Sequence, residues 1–200
     1  DVDDTLLDND RINADLDAHL ESLFGADGRA LYRKHYEALR DELGYADYLG
    51  AIQRFRVECG DEVRAQDLAA FLLEYPFAER LYPRALDALA HAARFGPAVI
   101  LSDGDVVLQP RKISASAIAD AVEGRVLIYV HKETMLEDVA RRFPARHYAM
   151  VEDKLRVLDA MKRVWGARLT TVSVHQGHYA DDPAAKQYPP AQIALDAIGD

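Results

Sequence analysis

Four short apolar runs in the second half of the chain, with helical rhythm between them, leave few folds open. They are Ala98–Leu101, Val126–Val130, His147–Val151 and Leu169–Val174. Runs of this length with little polar alternation suit strands covered on both faces. The intervening stretches, Gln109–Ala119, Glu133–Phe143 and Leu155–Trp165, place apolar residues three or four apart. Strand, helix, strand in alternation predicts an α/β fold, a parallel sheet with helices on both sides.

The first part of the chain has a different rhythm. From about Asn9 to Tyr82 the sequence reads as helices only: Leu16, Leu20 and Leu23 recur at helical spacing, as do Leu31, His35, Leu39 and Leu43. Further helices are expected over Tyr45–Glu58 and Ala65–Glu74, with Gly25, Gly28, Gly44 and Gly60 as punctuation. This makes a four-helix insertion. A helix follows over Arg84–Arg94, broken by Gly96-Pro97. The tail from Asp181 to Asp200 reads as surface covering with a short helix near Pro190–Ile198.

In an open α/β sheet, ligands collect at the carboxyl ends of the strands. Those ends carry Ser102, then His131-Lys132, then Glu152-Asp153-Lys154, then His175-Gln176-Gly177-His178. To these the chain adds an acidic opening, Asp1-Val2-Asp3-Asp4-Thr5-Leu6-Leu7. In extended backbone, Asp1 and Asp3 point the same way. Clustered carboxylates repel unless a cation lies among them, and oxygen ligands suit a hard ion such as Mg2+. A hydroxyl, an ammonium, carboxylates and a cation on one rim are what phosphoryl transfer needs.

The Asp-x-Asp-x-Thr opening, followed in order by Ser102, Lys132 and Val151-Glu152-Asp153, resembles the four signatures of the haloacid dehalogenase-like (HAD) superfamily. The resemblance covers roughly residues 1–8 and 80–178. It implies a Rossmann-like doubly wound core of residues 1–9 and 80–200, with residues 10–79 inserted as an all-helical C1-type cap. It further implies a Mg2+-dependent phosphohydrolase in which Asp1 is the nucleophile and Asp3 the general acid and base. Ser102 and Lys132 would bind the phosphoryl group, and Asp1, the backbone carbonyl of Asp3, and Asp153 would hold Mg2+. The substrate would be a small-molecule phosphate ester. Because the family's first motif ends a central strand, an apolar run of about five residues is expected just upstream of Asp1.

The chain departs from the common pattern in places. Glu152 stands where that pattern has Gly, Ser or Asp, and Val157 stands where a further acid often follows, with Asp159 two residues later. Lys154 and Lys112 compete with Lys132 for the lysine role. Asp103 and Asp105 read as loop-shaping, and His175 and His178 as rim or core histidines. Tyr32, Arg33, His35, Tyr36 and Arg40 could face a substrate from the cap, or simply pack. Asp3 argues against dehalogenation, which needs no acid for a leaving group. A phosphomutase or other phosphotransferase with the same intermediate, or a non-catalytic ligand-binding relative, is the alternative.

Composition narrows the partners. With 34 Asp+Glu against 24 Lys+Arg, the formal net charge is −10, which disfavours nucleic acid as a partner. No apolar run approaches the roughly 20 residues of a membrane span, so no membrane association is expected. Cys59 is the single cysteine, which excludes an internal disulfide and fits a cytoplasmic protein.

Overall fold

The computed structural model describes residues 1–200. The chain begins in a tight turn: the Val2 carbonyl accepts hydrogen bonds from the amides of Thr5, Leu6 and Leu7, at 3.2, 2.8 and 2.9 Å. Asp4 takes up a left-handed conformation there, with φ of 58°, which aspartate tolerates better than most residues.

Helices then run without interruption by strands. They are α1 (Asn9–Leu43), α2 (Tyr48–Cys59) and α3 (Glu62–Leu73). Asp8, Asp47 and Asp61 cap their starts by accepting amide hydrogen bonds, and Gly44 and Gly60 end α1 and α2 in the left-handed conformation. The four expected helices are three by count because the first two join across a kink. Gly25, at φ 70° and ψ −177°, breaks the helical backbone inside α1, a conformation open essentially to glycine alone. Fifteen buried side chains, among them Leu16, Leu20, Tyr32, Phe55 and Leu68, knit the helices into a core of their own.

The rest is α/β: α4 (Ala85–Ala92), β1 (Ile100–Asp103), α5 (Leu108–Ala115), α6 (Ile118–Ala121), β2 (Val126–Tyr129), α7 (Leu136–Arg142), β3 (Tyr148–Glu152), α8 (Leu155–Trp165), β4 (Leu169–Val174) and β5 (Ile193–Leu195). All pairings are parallel, β1 with β2 in one sheet and β3, β4, β5 in that order in another. The amino-terminal segment meets both. The Asp1 nitrogen donates to the Val151 carbonyl of β3 at 3.1 Å, and Val2 packs with Ile100 of β1 and Val174 of β4.

The strands sort their side chains by the period of two. Ile100, Val126, Ile128, Val151 and Val174 face a cluster completed by Ala85, Ile113 and Ile118 from α4, α5 and α6. Leu101, Leu127, Met150 and Leu169 face another completed by Leu136 and Val139 of α7 and Val157, Leu158 and Met161 of α8. Both faces are thus covered, as the apolar runs required. No helix is long and apolar enough to cross a membrane.

Three expectations need correction. The first strand spans 100–103 rather than 98–101, because its partner begins only at Val126, which lies opposite Ile100. The helix expected over 109–119 is split at Ala117, which has a φ of 64°. The tail has no helix near 190–198. Ile193–Leu195 instead pairs with Val172–Val174, where the open edge of β4 offers hydrogen bonds that an isolated short helix would lack, and Ile198 is buried in the core.

Candidate active site

The turn after Val2 holds Asp1 and Asp3 at the rim reached by the ends of β1, β2 and β3. Lys132 lies just past the end of β2. Its backbone amide donates to Asp103 Oδ1 at 2.6 Å, which fixes the turn. Its buried Nζ lies 2.5 Å from Asp1 Oδ1 and 2.6 Å from Glu152 Oε2. Thr5 Oγ1 donates to the other Asp1 oxygen at 3.0 Å. The candidate nucleophile is therefore gripped from two sides.

The other predicted residues gather around it. Ser102 is buried inside β1 rather than beyond its end, and its Oγ accepts from Gln109 Nε2 at 2.9 Å. Asp153 lies just past β3 with its Oδ1 3.3 Å from Lys154 Nζ. Asp3 does not join the Asp1–Lys132 pair: its Oδ1 accepts from Lys112 Nζ at 2.7 Å and its Oδ2 from Gln109 Nε2 at 3.3 Å.

Of the three lysines weighed from sequence, each has a different carboxylate. Lys132 meets Asp1, Lys112 meets Asp3 and Lys154 meets Asp153. Sequence reasoning singled out Thr5 only as part of its motif and left Glu152 open. Asp159 is engaged elsewhere, with Arg163 at 2.6 Å. Gln109 is not singled out by the sequence pattern, and Lys112 stands there only as a rival to Lys132. The available signal was their spacing of three, two polar residues on a helix face otherwise buried by Leu108 and Ile113.

Carboxylate oxygens of Asp1, Glu152 and Asp153 lie within 4.8 Å of one another. Glu152 Oε2 is held in an ion pair by the Lys132 ammonium, whereas the buried Asp153 Oδ2 makes no hydrogen bond. Burial works to raise the Glu152 pKa, but the ammonium groups of Lys132 and Lys154 outweigh it and hold the group below the usual range. Burial and the adjacent Glu152 charge push Asp153 up. A buried oxygen without a partner beside converging carboxylates suits a hard divalent cation.

A cavity of about 570 Å3 opens onto these groups. Its walls come from the α/β part and from the helices, which contribute Arg33, Tyr36, Arg40 and Tyr48. Arg33 is paired with Asp17 at 2.7 Å, and Arg40 donates to Tyr179 at 2.8 Å across the cavity mouth. Tyr32 and His35 do not reach it. Tyr32 is packed among the helices, with its hydroxyl on the Tyr48 carbonyl, and His35 meets Glu58. His178 lies on the rim, 2.6 Å from Asp10, and His175 is exposed.

A solved structure from Burkholderia xenovorans LB400, described as a haloacid dehalogenase-like hydrolase, is 58% identical over 100% of this chain and 93% of its own, with a TM-score of 0.95. The chain belongs to the haloacid dehalogenase-like hydrolases. A second such hydrolase, from Xanthomonas campestris, shares the fold at 19% identity, covering 96% of this chain and 84% of its own with a TM-score of 0.60. No protein-family model matches the chain, and no curated protein does. In this haloacid dehalogenase-like hydrolase, Asp1, Asp3, Ser102, Lys132 and Asp153 line one cavity together.

Proposed function

We propose that this hydrolase is a Mg2+-dependent phosphatase acting on a small phosphorylated metabolite through an aspartyl-phosphate on Asp1. The observation that carries the reading is the all-oxygen cluster of Asp1, Glu152 and Asp153, with the buried Asp153 Oδ2 lacking a hydrogen-bond partner, set against the Lys132–Asp1 pair. The cavity volume falls in the range of small-molecule sites. The helical part fits the role of a cap that shields the reaction from water.

Asp1, Asp153, Glu152 and the backbone carbonyl of Asp3 are the groups that would hold Mg2+. When bound, the ion supplies charge neutralisation between the carboxylate and the phosphoryl oxygens. The residues do the remainder. An Asp1 oxygen attacks phosphorus, the bond from phosphorus to the leaving oxygen breaks, and Asp3 gives that oxygen its proton. Water then attacks the acyl phosphate, the Asp1–phosphorus bond breaks, and Asp3 takes the proton from water. The Ser102 hydroxyl and Lys132 ammonium bind the transferred oxygens throughout. Dehalogenation has no use for the acid at position 3.

The test is a panel of phosphate monoesters assayed for inorganic phosphate release. Turnover with Mg2+ that is lost on adding EDTA supports the reading. No release from any ester, with Mg2+ in excess, contradicts it.

A further inference from the structure

Lys112 is the most enclosed cation outside the Asp1 cluster, only 1% exposed. Its ammonium has three donors, and two of them are taken by oxygens. One proton goes to Asp3 Oδ1 at 2.7 Å, another to Asn9 Oδ1 at 3.0 Å, and the Tyr48 ring lies 5.9 Å from the nitrogen. Asn9 opens α1, and its Nδ2 donates to the Tyr48 hydroxyl of α2 at 3.3 Å.

Such burial is a poor device for stability. Taking an ammonium out of water is expensive, and a well-packed apolar residue of similar volume often serves a fold as well or better. The helix face that carries Lys112 also carries Leu108 and Ile113, so an apolar residue would have suited the packing. What a lysine does there, and an apolar side chain cannot, is grip Asp3.

The geometry points to Lys112, with Gln109, as the positioning residues that aim the Asp3 carboxylate at the leaving oxygen. This rests on the phosphatase reading above. Asp3 lies on a tight turn with its side chain 26% exposed, free to rotate unless held. Lys112 takes one carboxylate oxygen and Gln109 the other, which fixes the plane of the group. A carboxylate offers about four acceptor positions, so both oxygens keep one free for a proton. The same Gln109 amide holds Ser102 Oγ, which sets the acid at a fixed distance from the hydroxyl that would bind the phosphoryl group. Proton transfer demands this, since small misplacements of a catalytic group cost large factors in rate.

The test compares two esters by kcat/KM, which reports steps up to departure of the leaving group. An alkyl phosphate needs a proton on its leaving oxygen; p-nitrophenyl phosphate releases a stable anion. In Lys112→Met, kcat/KM for the alkyl ester should fall by about 10- to 100-fold, part of the 10²–10⁴ typical of acid–base catalysis. The value for p-nitrophenyl phosphate should stay within about 3-fold, and that retained activity reports a folded site. If Lys112→Met does not fold, Lys112→Gln, which keeps a polar end toward Asn9 and removes the ammonium, carries the same comparison. Equal losses on both esters, or no loss on either, overturn the assignment. A wild-type protein inactive on both esters with Mg2+ would instead defeat the phosphatase reading, and this inference with it.

Discussion

Asp4 shows what the crowded opening costs the fold. Its side chain is 1% exposed, and burial, then the charges of Asp10 and Asp3, push its pKa from 3.8 up to about 6. A carboxyl whose folded pKa is raised favours folding while protonated in both states, below 3.8. That contribution is lost as pH rises through about 6. Asp4→Asn keeps the acceptor for the Asn9 amide and tolerates the left-handed backbone. Urea unfolding without Mg2+ should find the variant more stable by about 2–3 kcal/mol at pH 8, since each tenfold change in a proton's affinity is worth roughly 1.4 kcal/mol. The gain should shrink below about pH 6 and vanish below about pH 4. An equal gain at both ends of that range would mean that Asp4 is not charged at a cost in the folded protein. Gly177 belongs to the same crowding. A Cβ there would come within 2.6 Å of Asp4 Cβ, at a φ of 65°, so the residue before His178 has to be small.

The elements were legible where each is decided locally. Leu155–Trp165 and Leu169–Val174 have the bounds expected, because an amphipathic helix and a doubly covered strand each write their period into the sequence. The β5 strand did not, since three mostly exposed residues in an Ala- and Pro-rich tail carry no period, and only the neighbouring edge of β4 makes them a strand. The site divides in the same way. Lys132 and Asp153 lie just past strand ends, where topology alone predicts convergence. Ser102 lies inside β1 toward the same rim, and Asp1 joins them from the opening segment. Gln109 and Lys112 reach the site from the side of a helix, and their targets are set by packing across more than a hundred residues. The kink in α1 was visible only as a glycine. Its backbone values make a firm prediction: Gly25→Ala forces a side chain into a region that L-residues avoid, although nothing lies within 4 Å of the added carbon. Thermal unfolding should show a loss of about 1–3 kcal/mol, and an unchanged melting temperature would mean that the two halves of α1 can straighten.

At the scale of the molecule, one cavity is closed by two kinds of architecture. The sheet brings side chains from distant parts of the chain to one rim, and the helices lean over it through few, specific contacts. Arg40 meets Tyr179, and Asn9 meets Lys112 of α5. Nearer the start of α1, Asp15 takes Arg80 at 2.9 Å and the Tyr75 hydroxyl at 2.5 Å, close to where the chain re-enters the α/β part. Arg80 closes the triangle, with its Nε 2.7 Å from the Tyr75 oxygen. Such sparse polar contacts, unlike the apolar cores on either side, can part and reform as substrate enters and leaves. On the proposed phosphatase reading, all of this serves one chemical event at Asp1. Mass spectrometry of protein quenched during Mg2+-supported turnover should find one phosphoryl group on the peptide containing Asp1, removable by hydroxylamine and missing from an inactive Asp1→Asn variant. Phosphate release that continues in Asp1→Asn, or turnover with the phosphoryl group on another residue, would contradict it.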